Sequence, residues 1–339
     1  MVDISPEFIN VSQALGADPL LIQGAGGNTS IKTDSNLMWV KASGKWLQHA
    51  DTDDVFVAVD PARVNRNIKD NCDDPVEGAA LSIGPVGLRP SIETTLHSLM
   101  HHRVVFHTHS INTIAHAVQR NAAEILAGKL DGIRWGFIPY SQPGMPLTRL
   151  VAKQLAIKQC DVLVIQNHGL VVGGDSPVEA RELMQDVEDR LETKAVPIIE
   201  PSRQILSDAC AGTDFVVADA EIIHQSGLVA SGFDLACGGS LYPDHVVFLG
   251  SGIEGTQTLG ELAEFVQSPS GDPLRPKAVA LKGVGVVHHK SLVAGGVEML
   301  KALAEVVRRV PASAAVRYLT EEEEKQLVNW DAEKYRQTL

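Results

Sequence analysis

Periodic and aperiodic stretches alternate along the chain, and the periodic ones specify most of its elements. After Ser5-Pro6-Glu7, apolar residues at Phe8, Ile9, Val11 and Leu15 recur at helical spacing, and Gly16 to Pro19 closes the segment as a loop. Leu37 to Lys41 and Val55 to Val59 are compact apolar runs of strand length. Residues 60–90 scatter Asp, Asn, Gly and Pro with no sustained period and read as an irregular surface insertion. Ser91 is then expected to N-cap a short helix over residues 91–102, followed by a strand over 104–109 and a helix from Ile111 to Gln119. Leu147 to Gln159 reads as a helix and Asp161 to Gln166, DVLVIQ, as a buried strand. Asp175-Ser176-Pro177 opens an amphipathic helix running to about Lys194, with proline near the first helical position.

Pro197 and Pro201 bracket a linker, beyond which the pattern predicts strands at His245–Leu249 and Ala278–Val287. Helices are expected at Leu259–Val266, Ala294–Val310 and Glu321–Arg336. The chain thus divides into residues 1–198 and a smaller α/β extension, residues 199–339, with no internal repeat or heptad run.

Composition narrows the function. The 339 residues suffice for a large buried core, and the low aromatic share of 5% makes that core one of Val, Ile, Leu and Ala. With 29 Lys and Arg against 42 Asp and Glu, the net charge of −13 lacks the basic footprint of a nucleic-acid binder. No apolar run has the length of a membrane span, and the polar, acidic N-terminus does not resemble a signal peptide, so the expected location is the cytoplasm. Cys72, Cys160, Cys210 and Cys237 are widely spaced without a CxxC pair and read as reduced structural thiols.

The sharpest chemical signal is His107-Thr108-His109. Side chains two apart on a strand share a face, so both imidazoles can converge on one ion. A His-x-His pair also arises by chance in a chain with 12 His. His168, in Asn167-His168-Gly169 at the end of the DVLVIQ strand, reads either as a third ligand or as a turn histidine bonded to backbone. Three histidines with a fourth position open to water or substrate would make a catalytic divalent site. Glu93 would then be its general base or a displaceable ligand, and otherwise a favourable charge at a helix start. His97, one turn on, and His101, His102, His116, His288 and His289 read as ordinary surface or interface histidines. GAGGNTS, residues 24–30, is neither GxGxxG nor a phosphate-loop motif; it is a tight turn, or a cradle whose N–H groups with Asn28 hold an anion. Asp244-His245 reads as a turn, and Glu321 to Glu324 as solvated surface.

Taken in order, GAGGNTS, ASGK, PSIETTLH, HTHS and QNHGL resemble the class II aldolase and adducin-head family over about residues 8–195. YPDHVVFLG and NWDAEKYRQTL further resemble the aldolase portion of bifunctional rhamnulose-1-phosphate aldolase/alcohol dehydrogenases, whose dehydrogenase portion has no counterpart here. The resemblance implies a three-layer α/β/α domain around a largely antiparallel sheet, a cytoplasmic homo-oligomer (a tetramer by preference), and a divalent metal, Zn2+ before Mn2+ or Co2+. It also implies His107, His109 and His168 as metal ligands, Glu93 as acid/base, and Gly27, Asn28, Ser43, Gly44 and Ser91 as contacts to a substrate phosphate. Ile92 stands where fuculose-type relatives carry a second serine, removing one such contact. The family's proton-donating tyrosine has no clear counterpart, and Tyr140 is its candidate.

The implied activity is a lyase reaction, cleavage of a ketose phosphate or related polyhydroxy ketone through a metal-stabilised enediolate. Alternatives are a sugar-phosphate 4-epimerase, dehydratase or keto-sugar-acid decarboxylase on the same scaffold, a non-catalytic adducin-like interaction module, and a zinc hydrolase.

Overall fold

The computed structural model describes residues 4–34, 36–268 and 271–328, and its contacts resolve into two compact units. The first comprises the described residues up to Thr113 together with Ala122–Glu192; the second comprises Ile114–Asn121 and the described residues from Thr193 onward.

In chain order the elements to the end of the first unit are α1 (Pro6–Ala17), β1 (Asn28–Asp34), β2 (Leu37–Lys41), β3 (Phe56–Val59), α2 (Pro61–Lys69), α3 (Thr94–Leu99), β4 (Val104–Thr108), α4 (Ile111–Ala117), α5 (Ala122–Lys129), β5 (Trp135–Ile138), α6 (Met145–Ile157), β6 (Val162–Ile165), β7 (Gly169–Gly174) and α7 (Pro177–Leu191). The strands form one sheet in the order β3-β2-β1-β4-β7-β6-β5, antiparallel except for the β5–β6 pair. Alternation along β4 sorts its side chains between the two layers of helices. Val105 joins Leu163, Ile165 and Val171 in a core closed by Leu96 and Met100 of the α3 segment and Leu147 and Val151 of α6. Thr108, of opposite parity, meets Met184 of α7. His107 shares the parity of Val105 and therefore the face of α3. The unit is thus a three-layer α/β/α domain around a largely antiparallel sheet.

The second unit contains α8 (Arg203–Ala209), β8 (Phe215–Val217), α9 (Gln225–Leu228), α10 (Ala230–Ala236), α11 (Pro243–Leu249), β9 (Glu254–Thr256), α12 (Leu259–Gln267), β10 (Ala278–Leu281), β11 (Gly285–His289), α13 (Ala294–Val307) and α14 (Glu321–Val328). Its sheet runs β8-β11-β10-β9, with only β9 and β10 parallel. Leu206 of α8 and Leu262 and Val266 of α12 pack with Val279, Leu281 and Val287 from the sheet.

Several sequence-based expectations need correction. The insertion at 60–90 contains α2, capped by Asp60, whose carboxylate accepts the Arg63 N–H. The helix expected from Ser91 begins only at Thr94, with Glu93 in the cap position; the Ser91 hydroxyl instead accepts the Glu93 N–H at 3.3 Å. His245–Leu249 is helix, not strand. Every residue of α11 is buried, and a short helix buried all round gives the same unbroken apolar run as a buried strand. Ala278–Val287 is a hairpin of two strands rather than one. The C-terminal helix is described as far as Val328, and the part expected over 329–336 lies outside the described residues.

Candidate metal centre and active site

Glycines bring the histidine cluster together. His107 lies near the end of β4 and His109 just beyond it. His168 sits in the three-residue turn joining β6 to β7, where its N–H donates to Ile165 O at 3.2 Å. That turn needs Asn167 at φ 51°, a left-handed conformation asparagine tolerates better than most residues. Gly169 then passes so close to β4 that a Cβ would stand 2.3 Å from Thr108 O and 3.3 Å from both His107 and His109. On the far side, a Cβ at Gly26 would lie 2.8 Å from His109 Nδ1, and one at Gly27 2.8 Å from His107 O. Bare backbone at Gly169 therefore borders both rings, and at Gly26 it borders the His109 ring as well.

The three ring centroids stand 5.0–5.3 Å apart with the rings edge to face or tilted, and one nitrogen from each lies within 4.8 Å of the others. All three residues are buried, at 0%, 3% and 4% exposure. Glu93 joins them: its Oε1 is 3.0 Å from His168 Nε2 and 3.5 Å from His107 Nε2. Its Oε2 accepts from Asn28 Nδ2 at 2.7 Å.

This donor set fits a divalent cation. The His107 Nδ1–H donates to Leu170 O at 3.0 Å, and since a carbonyl can only accept, that bond fixes the proton on Nδ1. The neutral ring then turns an Nε2 lone pair toward a carboxylate, an arrangement that is repulsive unless a proton or a cation lies between them. Orientation of a ligand imidazole through its other nitrogen is the usual support of a metal site. Burial acts to raise the Glu93 pKa, but its interactions with the His107 and His168 side chains outweigh it and hold the carboxyl well below the usual carboxylate range. His97, buried behind this group and hydrogen-bonded through Nδ1 to Ser30 Oγ at 2.8 Å, is pushed down to about 3, chiefly by desolvation. It is therefore a neutral core residue.

Backbone pairing and hydrogen bonds link the 42–44 turn, Ser91, Glu93 and Asn28. The Ser43 N–H donates to Arg89 O at 2.8 Å, Ala42 bridges to Pro90, and Gly44 turns the chain at φ 75°. This sets the 42–44 turn beside Ser91, which is bonded to Glu93, which is bonded to Asn28. The Asn28 amide N–H is thus committed to the acid/base candidate. Tyr140 follows β5 and is half-buried, its backbone N–H donating to the Gln166 side chain at 3.3 Å beside the histidine-bearing turn. Lys41, absent from the sequence-derived set, is 2% exposed and donates from Nζ to Ala25 O at 2.6 Å and Gly27 O at 2.9 Å. A buried ammonium under a glycine loop ties that loop down from within. The signal for it was a lysine at the end of an otherwise apolar strand.

Residues 7–195 match the model of the class II aldolase and adducin N-terminal domain, and the chain belongs to that family. Among curated relatives, YuxG of Bacillus subtilis, named an uncharacterized oxidoreductase, is 28% identical over 60% of this chain and 29% of its own length. A methylthioribulose-1-phosphate dehydratase of Cronobacter sakazakii is 31% identical over 30% of this chain and 44% of its own. An L-fuculose phosphate aldolase of Methanococcus vannielii is 25% identical over 51% of this chain and 86% of its own. The chain therefore spans less than half the length of the first two. Among solved structures, the N-terminal class II aldolase domain of a Thermoplasma acidophilum protein has a TM-score of 0.48 at 25% identity, over 56% of this chain and 93% of that one. No helix among the described residues is long and apolar enough to cross a membrane.

Proposed function

We propose that this protein is a divalent-metal-dependent aldolase that reversibly cleaves a ketose phosphate or related polyhydroxy ketone into a ketone and an aldehyde. The observation that carries the reading is the convergence of three buried imidazoles with a carboxylate 3.0 Å from one of them. His107, His109 and His168 would hold the ion, Zn2+ before Mn2+ or Co2+, leaving a position for substrate oxygen. When bound, the ion supplies Lewis-acid stabilisation of the enediolate charge that develops as the C–C bond breaks. Glu93, its second oxygen held by Asn28, delivers a proton to the carbon that receives the bonding electron pair, and removes it in the reverse direction. Tyr140 exchanges the proton of the carbinol that becomes the aldehyde. Gly27, Ser43, Gly44 and Ser91 receive the phosphate, and Asn28 acts first on Glu93. The working form is a cytoplasmic homo-oligomer.

The test is product analysis by NMR with zinc-loaded protein and a panel of ketose 1-phosphates and related sugar acids. Cleavage is expected, abolished by chelation, and reduced about 10²–10⁴-fold by Glu93→Gln. No cleavage of any panel member would overturn the reading. A dehydratase is the second reading, favoured by the 31% identity to methylthioribulose-1-phosphate dehydratase. Loss of water without C–C cleavage in the same spectra would select it.

A further inference from the structure

At the opposite end of β4 from His107 and His109 lies a second group of metal-binding side chains, His101, His102 and Asp161. We propose that it is a second, weaker site for a divalent transition-metal ion of the zinc class. One donor atom from each residue lies within 4.8 Å of the others, and His102 Nε2 is 2.9 Å from Asp161 Oδ1. Two ligands about 2 Å from a shared ion stand roughly 3 Å apart when adjacent in its coordination shell, so this pair already has ligand spacing. The rings of His101 and His102 are tilted by 40° with centroids 3.7 Å apart, and the exposed His101, whose Nε2 meets Gln159 Nε2 at 2.7 Å, stands next to its buried neighbour.

The fold makes room for this arrangement. His102 and Asp161 flank β4 and β6, which lie on either side of β7, so the His102 ring must cross β7 to reach the carboxylate. It does so over Gly173, where a Cβ would come within 2.2 Å of His102 Nδ1. Asp161 is fixed on the far side by its own backbone: its carbonyl accepts the Gly173 N–H at 2.8 Å. An ion here would pin the end of the sheet across three strands.

Arg134 sets the affinity. Its guanidinium grips both Asp161 oxygens, at 2.6 and 2.7 Å, and adds a positive charge next to the ion. A bidentate guanidinium occupies one lone pair of each oxygen and leaves others for His102 or a metal. Because Arg134 is 58% exposed its grip is weak, so it lowers the affinity of the site without closing it. Two imidazoles and one carboxylate favour Zn2+, Co2+, Ni2+ or Cu2+ over Mg2+ or Ca2+.

The experiment is equilibrium dialysis of the full chain against Zn2+, followed by metal analysis and by visible spectra of the Co2+-loaded form. Wild type is expected to bind about two ions per chain, the weaker lost on His101→Ala or His102→Gln while the tighter is kept. His168→Ala should lose only the tighter ion, so failure at one site is distinguishable from failure at the other. Arg134→Ala should tighten the weaker site severalfold, an effect that a purely structural His102–Asp161–Arg134 network would not produce. His101→Ala, at an exposed ring, keeps the test valid should His102→Gln fail to fold. One ion per chain in wild type, or two in His101→Ala, overturns the proposal.

Discussion

At the residue scale, the candidate centre depends as much on side chains that are absent as on those present. Gly26 contributes no donor atom, yet a methyl group there would press on His109 Nδ1 from 2.8 Å. Gly26→Ala is therefore expected to lower retention of the His107–His109–His168 ion while leaving far-ultraviolet circular dichroism unchanged, with zinc content after graded chelator dialysis as the measurement. Lys41 acts from beneath the same loop. Lys41→Met would leave Ala25 O and Gly27 O without a buried donor, and each unsatisfied group costs roughly 1–3 kcal/mol. A loss of roughly 2–6 kcal/mol in urea unfolding is expected. A change below about 0.5 kcal/mol would mean that the loop holds its shape without the lysine.

At the element scale, the caps are the parts that carry their own chemistry. Ser176 Oγ accepts the Glu179 N–H at 3.1 Å while Glu179 reaches back to the Asp175 N–H at 2.9 Å, closing the first turn of α7 from both sides. Ser176→Ala should cost about 1 kcal/mol, read as a shift in unfolding midpoint at constant m-value. This helix was legible in the sequence because serine, proline and glutamate each act locally. So was the period of two that sets His107 and His109 on one face, since alternation is a property of the strand itself. β1 and β7 were not legible. β1 begins at Asn28 with polar residues and is a strand because β2 and β4 pair with it on either side, and β7 opens and closes on glycines needed for close approach. α11 failed for the converse reason: burial all round erased the amphipathic signal. Glu93 was found in the right segment but in the wrong position, because residues 92 and 93 form a turn and the helix begins only at Thr94.

At the scale of the whole molecule, buried neutral histidines couple stability to pH. His245, fully buried against Tyr242 with ring centroids 3.8 Å apart, is held down to about 3, mainly by desolvation and despite the opposing pull of Asp244. In the unfolded chain the same ring titrates near the ordinary value of 6.5. Between those values the unfolded state binds the extra proton, so stability rises with pH across this window. The contribution is complete above about 6.5 and is lost as pH falls toward 3. One such group contributes roughly 1.4 kcal/mol per pH unit inside the window. His224, also lowered by burial, acts in the same direction. Urea unfolding of the metal-free protein between about pH 4.5 and 7 should show stability falling on the acid side, and His245→Asn should reduce that slope by about one proton whatever it does to stability at pH 7. Reading the slope rather than the level separates titration from packing, because a cavity left by the substitution shifts all pH values alike. An unchanged slope in His245→Asn would mean that the ring already exchanges its proton in the folded protein and that α11 is open to water on the timescale of unfolding.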